Sequence, residues 1–160
     1  MTNIFTIGVY NSVEETFFQE LVTNKIDMFC DIRQRRGVRG SQYKYVNSNY
    51  LQSKLAELGI KYKYIKELAP TNEIRQKQKD ADKLNNESKK IRVSLGPVFI
   101  EEYNAQILNK FDLDALIKAL NDEGVQNPVF FCVEEKAQAC HRSIVAKALS
   151  DKLGIGIINL

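Results

Sequence analysis

The stretch CVEEKAQACHRS, residues 132 to 143, holds the only histidine of the chain, His141, between Cys140 and Arg142, with Glu134 close upstream. A histidine exchanges protons near neutral pH, and an arginine offers a planar fork of donors to phosphate or carboxylate. A cysteine near a helix start can have its thiolate favoured. If the cluster opens a helix, the unpaired N–H groups and the positive end of the helix dipole also favour an anion. The same residues read equally as the polar start of a helix, with Cys140 packed and His141 exposed. A second group lies in DIRQRRGVRG, where Arg33, Arg35, Arg36 and Arg39 are four of the seven arginines. Asp31 and Arg33 are two apart, so on an extended strand they point to one side, either as an anchoring ion pair or as ligand contacts. Asp31 and Glu134 could serve as acid and base, or hold Mg²⁺ beside a phosphate. Alternatively, they anchor Arg33 and Arg142.

Some chemistries are disfavoured by spacing. The Cys-x5-Arg loop of cysteine phosphatases is missing, because the residues six after Cys132 and Cys140 are Gln138 and Ala146. No G-x4-G-K-S/T loop is present, which argues against a standard NTPase. Cys132, Cys140 and His141, with Glu134 or Asp31, are acceptable zinc-ligand types. They lack C-x2-C or H-x3-H spacing, and the adjacent Cys140 and His141 are expected to point apart. No metal ligand and no cofactor is therefore assigned; a divalent cation has ligand types here without ligand spacing.

The elements that must position these groups follow from periodicity. NIFTIGVY alternates and ends at a glycine, IDMFCDIR is a short apolar run ending in charge, and NPVFFCVEE reads as a buried strand. KYKYIKEL and IGIINL supply two more strands. Between them, SVEETFFQELVTN reads as a helix, with Ser12 and Glu15 at capping-box spacing. NSNYLQSKLAELGI, VFIEEYNAQIL and DLDALIKALNDEG are helical too, as is ACHRSIVAKALSDKLG, with Ile144, Ala148 and Leu149 inward. Strands separated by helices imply crossovers and a parallel sheet. The expectation is a three-layer, Rossmann-like α/β domain with a mostly parallel sheet of about five strands and helices on both faces. Residues 1–160 would form one domain, with a polar excursion at 72–92 that is either an exposed helix or a mobile segment. Ligands of such sheets bind outside the strand carboxyl ends. That edge would gather Gly8, Asn11, Asp31, Arg33, Glu134, Cys140, His141 and Arg142.

Composition bounds the rest. With 44% apolar and 27% charged residues the chain reads as an ordinary globular protein. No apolar run approaches the roughly 20 residues that span a bilayer, so no membrane is expected as a partner. No leader pattern is visible at the N-terminus, and three cysteines without paired spacing suggest reduced thiols, hence a cytoplasmic protein. Of the 23 basic and 20 acidic residues, seven and four lie in 73–92, so the remainder is balanced at 16 and 16.

Four separated motifs, TIGVYN, CDIRQRRGVRGSQY, LGIKYKYIKELAP and FFCVEEKAQACHRSIVAKAL, closely resemble the DUF488 family, a domain of unknown function. The resemblance spans nearly the whole chain. It carries the family's motifs onto Gly8, Asp31, Arg33, Arg39, Glu134, Cys140, His141 and Arg142. Many relatives have a proline after D-V-R and a serine before the later arginine. Arg36 and Val38 stand there in this chain, which therefore resembles an arginine-rich subgroup. The resemblance implies a cytoplasmic α/β domain and names no activity.

The expected function is binding or processing of a phosphate-containing ligand, a nucleotide or nucleic acid, at the carboxyl edge of the sheet. Arg33, Arg39, Arg142, Asn11 and Cys140 would contact the anion, and Asp31, Glu134 and His141 would orient these groups or act as acid and base. The alternative is a non-enzymatic nucleic-acid or protein interaction module that uses the arginine loop, with its nearby tyrosines, and the lysine patch at 73–92. Oligomeric state is not readable from the sequence.

Overall fold

Alternation along short strands sorts the core into two layers. Phe5, Ile7, Phe29, Val129 and Phe131 face one side of a sheet, and Ile4, Met28, Cys30 and Phe130 face the other. The computed structural model describes residues 1–86 and 92–160; residues 87–91, which include Lys89 and Lys90 of the expected lysine patch, lie outside the described residues. The strands are β1 (Asn3–Ile7), β2 (Met28–Asp31), β3 (Lys61–Tyr64), β4 (Pro128–Phe131) and β5 (Gly156–Asn159). They form one sheet in the order β3-β2-β4-β1-β5, with every pairing parallel. β4 lies at the centre and is buried along its whole length, which explains its unbroken apolar sequence.

Helices cover both faces, as parallel crossovers require. On one face lie α1 (Glu14–Thr23), through Phe17, Phe18 and Leu21, and α2 (Ser48–Glu57), through Leu51 and Leu55. On the other lie α3 (Asn72–Leu84), α4 (Pro97–Gln106), α5 (Leu113–Asp122) and α6 (Arg142–Leu153). Phe17, Phe29 and Phe131 meet between the sheet and α1, with the last two ring centroids 5.1 Å apart. Each contributes about 1.5–3 kcal/mol by burial. No helix among the described residues is long and apolar enough to cross a membrane.

Two local expectations change, and a third, left open between helix and mobile segment, resolves to a helix over 72–84. Helix α1 starts after Val13 and not at Ser12. The Ser12 hydroxyl instead donates to the Val9 carbonyl at 2.6 Å and lies 2.8 Å from the Tyr45 hydroxyl, so it braces the turn. On α6 the buried residues are Arg142, Val145, Ala146 and Leu149, while Ile144 and Ala148 are only partly covered. Residues 72–84 of the polar stretch form α3, capped by the Thr71 hydroxyl, which accepts from the Ile74 amide at 3.2 Å. Its inner face recurs at Ile74, Gln78 and Asp82, a four-residue spacing with a single apolar member.

The chain runs outward from β1 to β2 to β3, then returns to insert β4 between β1 and β2 before ending in β5. After β2 it passes to the face of α2; after β4 it passes to the face of α6. The connections therefore part at the neighbouring ends of β2 and β4, where an open α/β sheet leaves a crevice.

Candidate functional site

A cleft of about 1080 Å³ opens at that crevice. Its floor is built by Cys132, Val133 and Glu134 after β4, with Cys140 and His141 before α6. One wall is the arginine loop after β2, including Arg33, Arg35 and Arg39; the other is α3, through Arg75, Lys79, Asp82 and Lys83, together with Arg92. The loop and α3 are fastened through Gln34, which accepts from Arg75 and donates to Asn72 Oδ1 at 2.9 Å. The arginine loop and the basic stretch at 73–92, read from the sequence as one interaction surface, thus face each other across one space.

The close approach at Gly8, just after β1, completes the edge. A side chain there would put its Cβ 2.0 Å from the Glu134 carbonyl oxygen and 3.1 Å from Arg142 Nη2, so only glycine lets these segments meet.

Asp31 is fully buried at the end of β2. Its carboxylate accepts from Arg33 N (3.1 Å), Nε (2.9 Å) and Nη2 (2.7 Å), and from the Tyr62 hydroxyl at 2.8 Å. Arg33 also donates to the Val46 carbonyl at 2.9 Å and lies 4.6 Å above the Phe131 ring. Burial, and then the Asp31 charge, push the Tyr62 phenol up to about 12. Arg142 is 1% exposed and donates from Nη1 to the Glu134 carbonyl (2.6 Å) and from Nη2 to the Glu135 carbonyl (2.8 Å). It clamps the turn between β4 and α6.

Glu134 and Arg92 lie 3.5 Å apart at the cleft floor, and Arg92 also pairs with Asp82 at 2.7 Å and donates to the Ala139 carbonyl at 2.7 Å. Gln78 donates to Asp82 at 2.7 Å and accepts from the Gly96 amide at 2.9 Å. This polar network, where apolar residues are few, attaches α3 to the domain.

His141 is buried against Tyr103, with ring centroids 5.5 Å apart. Its Nε2 lies 3.0 Å from the Ile32 carbonyl and its Nδ1 lies 3.7 Å from Cys140 Sγ. Burial opposes its protonation. The Cys132 thiol, the Glu134 carboxylate and the Ile32 carbonyl overcome that, leaving its pKa raised. Burial pushes the Cys140 thiol well up, and the neighbouring Cys132 adds to the rise while Arg142 opposes it.

Of the residues singled out from the sequence, Arg33, Arg39, Glu134, Cys140 and His141 line the cleft. Asp31 and Arg142 sit just behind it, occupied by the contacts above. Asn11 is exposed, with a positive φ of 64°, and donates to Glu135 at 2.5 Å; the cleft lining does not include it. Arg75, Lys79 and Arg92, from the basic stretch of the alternative reading, and Cys132, weighed only as a zinc-ligand type, join the cleft as well. The charge run at 73–92 was the available signal for the cations, but periodicity alone does not say which sheet edge a helix crosses.

Fold and site together define a doubly wound parallel α/β domain with a basic cleft at its strand ends. The chain belongs to the DUF488 family, described as a domain of unknown function, whose match covers residues 13–149. No curated protein and no solved structure matches the chain.

Proposed function

We propose that the protein binds a phosphate-bearing ligand, a nucleotide or a short stretch of nucleic acid, in this cleft. The observation that carries the reading is the charge of its two walls. Arg35, Arg39, Arg75, Lys79 and Lys83 face a space that also holds two carboxylates, Asp82 and Glu134. Asp82 is already paired with Arg92. Arginine side chains suit the forked oxygens of phosphate. The volume of about 1080 Å³ is at the upper end for small-molecule pockets and suits a ligand of nucleotide size or longer. Tyr10, half-buried, lines the same space and is the aromatic ring available to a base. In this reading Glu134, which also pairs with Arg92 at 3.5 Å, acts on the ligand from the cleft floor, and Asp31 orients Arg33.

In this reading residues 1–160 work as one domain, and the arginine loop marks an arginine-rich subgroup of the family. Three buried cysteines outside any disulfide suit a reducing compartment such as the cytoplasm. The test is fluorescence anisotropy with a labelled nucleoside triphosphate and a labelled single-stranded oligonucleotide, on the wild type and on Lys79→Ala/Lys83→Ala, two exposed cations of the α3 wall. Binding by either probe, weakened about 10-fold or more in the double variant with an unchanged melting temperature, is the expected result. Equal affinity in both proteins, or no binding of either probe, would overturn the reading.

A further inference from the structure

At the cleft floor three ligand-type atoms converge: Cys132 Sγ, Cys140 Sγ and a ring nitrogen of His141 all lie within 4.8 Å of one another. Neighbouring donors of a tetrahedral zinc, with bonds of about 2.3 Å to sulfur and about 2.0–2.1 Å to nitrogen, stand about 3.6–3.8 Å apart. The 3.7 Å between Cys140 Sγ and His141 Nδ1 already has that length. The backbone explains how adjacent residues face one point, against the expectation from sequence. Cys140 is extended (φ −140°, ψ 144°) and His141 is helical (φ −58°, ψ −18°), so the change of conformation between them brings consecutive side chains together.

The imidazole is also oriented for the task. A carbonyl oxygen only accepts, so at 3.0 Å from the Ile32 carbonyl Nε2 carries the hydrogen. In the neutral ring Nδ1 is then left with its lone pair aimed at the sulfurs. A histidine ligand whose other nitrogen is held by a carbonyl is the usual arrangement at metal centres. Cys132 is fixed from the other side, its amide donating to the Ile7 carbonyl at 3.3 Å. Three ligands arriving from two segments, on a floor that faces a cleft, leave one tetrahedral position open.

We propose that Cys132, Cys140 and His141 bind one thiophilic divalent cation of the zinc type through Sγ, Sγ and Nδ1, with its fourth position turned to the cleft. Coordination displaces the thiol protons, and the resulting pair of thiolates balances the charge of the ion. Three protein ligands with an open position are the composition of a zinc centre that meets a substrate or water, as distinct from a closed four-ligand structural site. Cys30 takes no part: it lies within β2 and does not line the cleft. The proposal goes beyond the ligand reading and stands or falls without it, because its probe is the metal alone.

The test uses the full chain, reduced with a phosphine, stripped of metal and titrated with Co²⁺ and then Zn²⁺. One Co²⁺ per chain is expected, with sulfur-to-cobalt charge-transfer absorption from two thiolates and the strong visible bands of a tetrahedral ion, all displaced by Zn²⁺. Cys132→Ser and Cys140→Ser should each lower Zn²⁺ affinity at least about 100-fold, while Cys30→Ala leaves it unchanged. Should the serine variants fail to fold, the wild-type spectrum decides: two thiolates per ion support the site, and one or none overturns it. Failure to bind Co²⁺, weak octahedral bands, or unchanged affinity in Cys132→Ser would also overturn it.

Discussion

Arg33 and Arg142 are exposed to only 2% and 1%, and they donate to the protein itself: to Asp31, to the Val46 carbonyl and to the carbonyls of Glu134 and Glu135. Arg35 and Arg39 lie on the same loop or edge but are exposed and face the cleft. The residue type is the same and the work differs. A buried guanidinium must find acceptors or it costs several kcal/mol, so its donors fix the loop and the turn. An exposed one keeps its donors for whatever enters. The inner pair shapes the cleft, and the outer ones give it its charge.

The largest effect that could break this contrast is expected at Asp31. Asp31→Ala leaves the buried Arg33 without its carboxylate and should cost about 3–5 kcal/mol in urea unfolding. A loss below about 1 kcal/mol would mean that the inner pair is as dispensable as a surface one.

An alkaline titration sharpens the same point with a smaller effect. The Tyr62 phenol donates to Asp31 and its pKa is pushed up to about 12 in the folded protein. Between the ordinary tyrosine value of about 10 and that figure, the unfolded chain has lost the proton and the folded one still holds it. The contribution is therefore fully present below pH 10 and is lost as pH rises toward 12. Urea midpoints should fall over this window in the wild type, and less steeply in Tyr62→Phe. Parallel falls in the two proteins would remove Tyr62 from the Asp31 network.

The smallest effect on stability is expected for the outer set. Arg35→Ala/Arg39→Ala should stay within about 0.5 kcal/mol of the wild type. A large destabilisation would erase the distinction between the two sets.

Much of the sheet was legible because it rests on local alternation: Phe29 against Cys30, or Val129 against Phe130, already declares two faces. The convergence of Asp31, Glu134 and His141 followed from one topological rule. What was not legible depends on distances between segments far apart in sequence. Arg142 was expected at an anion, but the turn from β4 delivers two backbone carbonyls to its guanidinium first. The apposition of Cys140 and His141 needed a change of backbone conformation between neighbours that no spacing rule encodes. The placement of α3 beside the arginine loop depends on Gln34, Gln78 and Asp82, polar residues that carry no periodic apolar signal.

The attachment of α3 also bears on how binding data will read. The Arg92–Asp82 pair that holds this wall is buried, at 6% and 8% side-chain exposure, so dissolved ions screen it little. The exposed cations that face the cleft are screened fully. Added salt should therefore weaken attraction for a polyanion without loosening the wall that presents it. The slope of log affinity against log salt concentration then counts the counterions released by the ligand, and so the number of its phosphates in contact.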